Sequence, residues 1–106
     1  MLETLTKRAD FVAATRHATR VHTPAFPLQL RARGDTDPAR IGYTCTKKGG
    51  NAVARNRAKR RLREAARAVL FPAAAPGTDY VLIGRAKVTA SHPFTALCDD
   101  LRRALA

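Results

Sequence analysis

A chain of 106 residues with 20 Lys and Arg against 8 Asp and Glu carries a formal net charge of +12, the balance of a small nucleic-acid-binding protein. An apolar fraction of 45% excludes wholesale disorder, and the length excludes more than one ordinary domain, here residues 1–106. Trp is lacking, and the basic helix identified below offers mainly alanine and one leucine, which argues against anchoring to an anionic membrane.

Residues 1–17 read as a short helix, with Thr4 or Thr6 as N-cap and an apolar face of Leu5, Phe11, Val12 and Ala14. Phe11 is its one large side chain, suited to docking the helix on a sheet. From Thr19 to Arg33, Val21, Phe26, Leu28 and Leu30 suggest a half-buried strand, and Pro24 and Pro27 require that it lie at an edge or be interrupted. After the turn Gly34-Asp35-Thr36-Asp37-Pro38, residues 40–46 form a second strand with Ile41, Tyr43 and Cys45 on one face. These two long strands are expected to pair as an antiparallel hairpin.

Gly49-Gly50 breaks the strand, and Asn51 is placed to cap a helix running to about Leu70, ended by Pro72, Pro76 and Gly77. Asp79 to Gly84 is a nearly continuous apolar run, the pattern of a central strand covered on both faces. Ser91 and Pro93 open a last helix whose Phe94, Leu97, Cys98, Leu101 and Leu105 recur at helical spacing. The order α, β, β, α, β, α describes a single-domain α/β sandwich with helices against one small sheet.

The segment 47–67 holds nine of the twenty basic residues, with Glu64 its only acid. At 3.6 residues per turn, Ala54, Ala58, Leu62, Ala65, Ala66 and Val69 share a narrow apolar stripe, flanked by a second stripe of Arg55, Lys59, Arg63 and Arg67. A solvated helix surface mixes signs, whereas like charges at i,i+4 destabilise it. Here Arg55/Lys59, Lys59/Arg63, Arg57/Arg61 and Arg63/Arg67 are like pairs, relieved only by Arg60–Glu64 and Glu64–Arg67. A phosphate-rich partner removes that repulsion. Arginine binds phosphate bidentately, Asn56 adds a donor for phosphate or 2′-OH, and the helix N-terminus beside Lys47 and Lys48 makes a second phosphate site.

Cys45 and Cys98 have no metal-ligand spacing and read as small core residues. Asp35, Asp37, Glu64, Asp79, Asp99 and Asp100 are scattered, unlike the carboxylate cluster of a metal nuclease, and His17, His22 and His92 have no partner at catalytic spacing. No catalytic residue and no metal ligand is therefore assigned. The sequence shows no signal peptide, transit peptide or transmembrane run, and a cytoplasmic location is expected.

At the basic helix the chain resembles the protein subunits of bacterial ribonuclease P. The resemblance rests on Thr46-Lys47-Lys48, Gly50-Asn51-Ala52-Val53, Arg55-Asn56-Arg57, Lys59-Arg60 and Arg63-Glu64. It extends more thinly to Asp10-Phe11, Ile41-Gly42, and Val81-Leu82-Ile83 before Arg85. It implies a small mixed sheet in which strand, basic helix and next strand make a left-handed crossover, against the right-handed rule for such units. It also implies a ribonucleoprotein endonuclease whose chemistry is carried by a catalytic RNA subunit, with Mg2+ held mainly by RNA and precursor tRNA as substrate. The RNA-binding residues implied are Arg55, Asn56, Arg57, Lys59, Arg60, Arg61, Arg63, Arg67, Lys47, Lys48 and Asn51. A cleft for the 5′ leader would use Phe11, Gln29 and Arg85, with Phe11 stacking a base instead of serving only as a docking residue. Neither a membrane nor DNA is an implied partner. Thr15 stands where the family often has a second aromatic, and Gly49 where it has an apolar residue. The alternatives are a ribosomal or other small protein binding structured RNA and, from a different class, a protein-only nuclease.

Overall fold

The computed structural model describes residues 3–5, 8–16, 18–24, 26–46 and 50–105. Its elements are β1 (Glu3–Thr4), α1 (Arg8–Arg16), β2 (Thr19–His22), β3 (Pro27–Ala32), β4 (Arg40–Thr46), α2 (Ala52–Ala65), α3 (Phe71–Ala73), β5 (Thr78–Arg85), α4 (Ala86–Ser91) and α5 (Phe94–Leu105). A π-helical turn, Ala66–Leu70, joins α2 to α3, so the basic helix runs on past its expected end near Leu70. Its start is the expected one: the Asn51 side chain accepts the Ala54 N–H at 2.9 Å.

The sheet is mixed, in the order β1-β4-β5-β3-β2. β5 is central, as its apolar run predicts, parallel to β4 (Ile41 opposite Tyr80) and antiparallel to β3 (Leu28 opposite Leu82). The expected hairpin between the two long strands does not form, because β5 lies between them. A buried carboxylate favours that insertion. Asp79 on β5 receives hydrogen bonds from Arg33, just after β3, and from Arg40 on β4. The connecting loop is tied to the approach to β5 by Arg33 N–H to Gly77 O (2.7 Å) and Gly77 N–H to Asp37 O (2.8 Å). Gly77 has φ +72° and the Asp35 carbonyl close against it, so both its backbone and its surroundings call for glycine.

The long elements keep the expected order, and the remaining differences are local. Thr4 lies in β1 instead of capping a helix, and Thr6 is outside the described residues. The proline-bearing segment is interrupted, as expected: β2 and β3 form a hairpin around Thr23–Phe26, where the Phe26 N–H donates to Thr23 Oγ1 at 3.1 Å. Ser91 ends the unforeseen α4 and does not start α5.

The two faces of the sheet carry separate apolar clusters. Leu28, Ile41, Tyr80 and Leu82 pack against Leu62, Ala65, Ala66, Val69 and Leu70 of the long helix and against Leu97, Cys98 and Leu101 of α5. On the other face Val81 meets Leu5 and Ala14, with Phe11 and Ile83 partly buried beside them. The helix α1 thus covers one face, and the basic helix is seated on the opposite one between two parallel strands.

Candidate nucleic-acid interface

The basic helix sits close to its support because the contacting residues are small. Ala58, Leu62 and Ala65 are fully buried. A Cβ at Gly84 would lie 3.2 Å from Leu62 Cδ1 and 3.5 Å from Ala58 Cβ, while one at Gly50 would collide with the Ala86 methyl at 2.2 Å. The expected apolar stripe is therefore the contact surface, with Ala54 half-buried at its start.

Seating that stripe sorts the polar candidates. Asn56, Arg57, Arg60, Arg63 and Arg67 are exposed, whereas Arg55, Lys59 and Arg61 are half-buried. Val53, Asn56, Arg57, Lys59, Arg60 and Arg63 line an open groove of about 650 Å³. Arg61 turns away from it and donates to the carbonyl of His92, tying α2 to the α4–α5 connection. Arg55 donates to the Gly50 carbonyl at 3.3 Å, and Asn51 uses its side-chain oxygen in the cap. Lys47 and Lys48 lie outside the described residues. The expected relief by Glu64 does not take the form of ion pairs. Among the described residues every salt bridge lies elsewhere, which leaves the cations of α2 without a carboxylate partner.

The stripe of Arg55, Lys59, Arg63 and Arg67 overlooks β4. The Arg63 guanidinium lies 5.4 Å from the centroid of the Tyr43 ring. Burial pushes the Cys45 thiol up, partly offset by the charges of Arg55 and Lys59, so this free cysteine stays a protonated packing residue.

On the opposite face a cleft of about 490 Å³ opens between α1 and the sheet, lined by Arg8, Phe11, Val12, Thr44 and Ile83, with Tyr43 and Val81 completing it. Phe11 is half-buried and docks α1 on the sheet, as its size predicts. Its ring packs on Gly42, where an added Cβ would lie 2.5 Å from Cε1 and 2.8 Å from Cζ, and it also lines the cleft. Gln29, opposite Val81, shares this face of the sheet but lies outside the cleft's lining; its Oε1 is buried without a hydrogen-bond partner among the described residues. Arg85 is exposed at the end of β5, on the face of Val81 and Ile83 by strand alternation. Arg8, Tyr43 and Thr44 escaped the sequence reading. Strand alternation places Thr44 with Gly42, but nothing in the chain says that α1 covers that row incompletely.

Two acids, Asp79 and Asp100, are buried and held by structural partners. Asp79, fully buried, is bound by Arg40 through Nε at 2.8 Å and Nη2 at 2.9 Å and by Arg33, with Arg31 at 3.7 Å. Burial alone would push its carboxyl up; the hydrogen bonds from Arg40 and Arg33 outweigh it and hold it below its ordinary value. Asp100 is buried beside His92 and Arg103. Among the described residues no three His, Cys, Asp or Glu side chains converge to hold a metal ion, and no helix is long and apolar enough to cross a membrane.

Comparison with known proteins places this arrangement. The ribonuclease P family model matches residues 2–106. The chain is 58% identical to the ribonuclease P protein component of Ruegeria pomeroyi, covering 98% of this chain and 84% of that one. It is 52% identical to the counterpart from Gluconacetobacter diazotrophicus, over 95% and 86%. Among solved structures, the ribonuclease P protein of Thermotoga maritima superposes with a TM-score of 0.78 at 27% identity, covering 97% of this chain and 94% of that one. The Staphylococcus aureus protein gives 0.76 at 25%, over 96% and 91%.

Proposed function

The chain belongs to the ribonuclease P protein family, and from that premise we propose how it serves as the protein subunit of this RNA-processing ribonucleoprotein. The exposed side of α2, with Asn56, Arg57, Arg60 and Arg63, and Arg67 of the π-helical turn that follows, together with Arg55, Lys59, Lys47 and Lys48, lies on the catalytic RNA subunit. Asn51 acts through the cap that fixes the start of the helix, and Arg61 braces the helix from behind. One observation carries this reading: a fully buried alanine–leucine stripe holds the helix in place, while its exposed cations have no carboxylate partner among the described residues. Phosphates supply the missing counter-charge.

The 5′ leader of precursor tRNA lies in the cleft between α1 and the sheet, where the exposed part of the Phe11 ring offers a stacking surface beside Arg8. Gln29 and Arg85 extend that surface along the same face of the sheet. The described residues do not fit a protein-held magnesium site: no three ligating side chains converge among them, and the buried carboxylate of Asp79 is saturated by arginines. Mg2+ is assigned to the RNA and its substrate, and the protein supplies counter-charge and grip. The whole chain acts as one RNA-binding unit, in the cytoplasm.

Cleavage of a precursor tRNA at low magnesium tests the reading, with this chain, its cognate RNA subunit, and both together. Activity of the pair, with RNA alone requiring raised magnesium, is the expected outcome. Cleavage by the protein alone would overturn it.

A further inference from the structure

The two surfaces just described meet at one place. β4 is paired on its outer side by β1 at Arg40 and Ile41, with Leu5 N–H donating to Ile41 O at 2.8 Å. Beyond that point, among the described residues, Gly42–Thr46 faces no further strand. Tyr43 stands on this open stretch. In register with Leu82, it packs against the large apolar cluster beneath the basic helix, yet it also borders the α1 cleft on the other side of the sheet. Its ring carries the guanidinium of Arg63, an exposed residue that lines the groove of α2.

An arginine without a carboxylate partner on a helix surface samples many rotamers, and ordering it on RNA costs side-chain entropy. Stacking on a half-buried ring removes much of that freedom beforehand and leaves the guanidinium edge free for phosphate. We propose that Tyr43 is a positioning residue of the RNA interface, holding Arg63 at the open edge of β4, where the leader cleft and the RNA-subunit face adjoin. The inference rests on the assignment of α2 to the RNA subunit.

The test is a double-mutant cycle on affinity for the cognate RNA subunit, measured across a salt series with each variant's thermal midpoint recorded. Tyr43→Phe keeps the ring and stays within about twofold of the parent, whereas Tyr43→Leu loses about twofold to fivefold. Arg63→Gln weakens binding and flattens the salt dependence by about one ion. In that background Tyr43→Leu has no further effect. Arg63→Lys keeps the charge but loses the planar stack, so it weakens binding as Tyr43→Leu does and tests the idea even if the leucine variant fails to fold. The proposal is overturned by additive effects of Tyr43→Leu and Arg63→Gln, by Tyr43→Phe as damaging as Tyr43→Leu, or by Arg63→Lys with parental affinity. Should Arg60→Ala and Arg63→Gln both leave affinity intact, the RNA-face assignment falls and takes this inference with it. Should they weaken binding while Tyr43→Leu does not, only the inference falls.

Discussion

Gly42→Ala is the most searching single change at the cleft. The added methyl would sit 2.5 Å from Cε1 and 2.8 Å from Cζ of Phe11, and 3.1 Å from Leu5 Cβ. Ordinary carbon contacts are about 3.5–4.0 Å, so the ring must move by about 1 Å or swing out of its place. Overpacking of this kind costs about 1–3 kcal/mol. The clash is specific, so its signature is coupling: in a Phe11→Ala background the same Gly42→Ala change should cost about 0.5 kcal/mol or less, with the residue due to Leu5. Urea unfolding of the four proteins gives the stability cycle. Affinity for precursor tRNA against mature tRNA, in the assembled ribonucleoprotein, gives the functional one. Gly42→Ala and Phe11→Ala should each weaken leader-containing substrate more than mature tRNA. An equal cost of Gly42→Ala in both backgrounds would refute the packing argument. Equal loss for both RNAs would show that Phe11 serves the core alone.

Arg57→Ala and Arg60→Ala should each weaken assembly with the RNA subunit and lower the salt slope by about one ion, whereas Arg61→Ala should lower the thermal midpoint with little change in slope, since its guanidinium is occupied by the His92 carbonyl. Asp79→Asn should cost about 3 kcal/mol at pH 7, because it strips the countercharge from Arg33 and Arg40 around a buried site. The Asp79 carboxyl is held below its ordinary value, so its contribution is complete above about pH 4 and is lost as pH falls through the lowered value. The stability gap between parent and Asp79→Asn should therefore narrow on acidification, and a gap constant down to pH 2 would refute the clamp. Leu62→Ala, in the fully buried stripe, should cost about 2–5 kcal/mol by chemical denaturation.

The basic helix, its Asn51 cap, its narrow alanine–leucine stripe and the apolar run that becomes β5 are all legible in the chain. Each of these rests on local periodicity or on a side chain bonding its own neighbouring backbone, and such signals lie within a few residues of one another. The ordered motif around Arg55-Asn56-Arg57 carried the family in the same way. Strand pairing was different. Neighbouring strands in sequence read as a hairpin, but β5, distant in the chain, comes between β3 and β4, where Asp79 can meet Arg33 and Arg40 together. Such a cluster joins residues up to 46 positions apart, beyond any local pattern. Tertiary structure also divided the basic face, turning Arg61 inward to the His92 carbonyl and laying Arg63 on Tyr43. Charge alone ranks those arginines as equals; only what packs beside each one decides whether it is left to meet a phosphate.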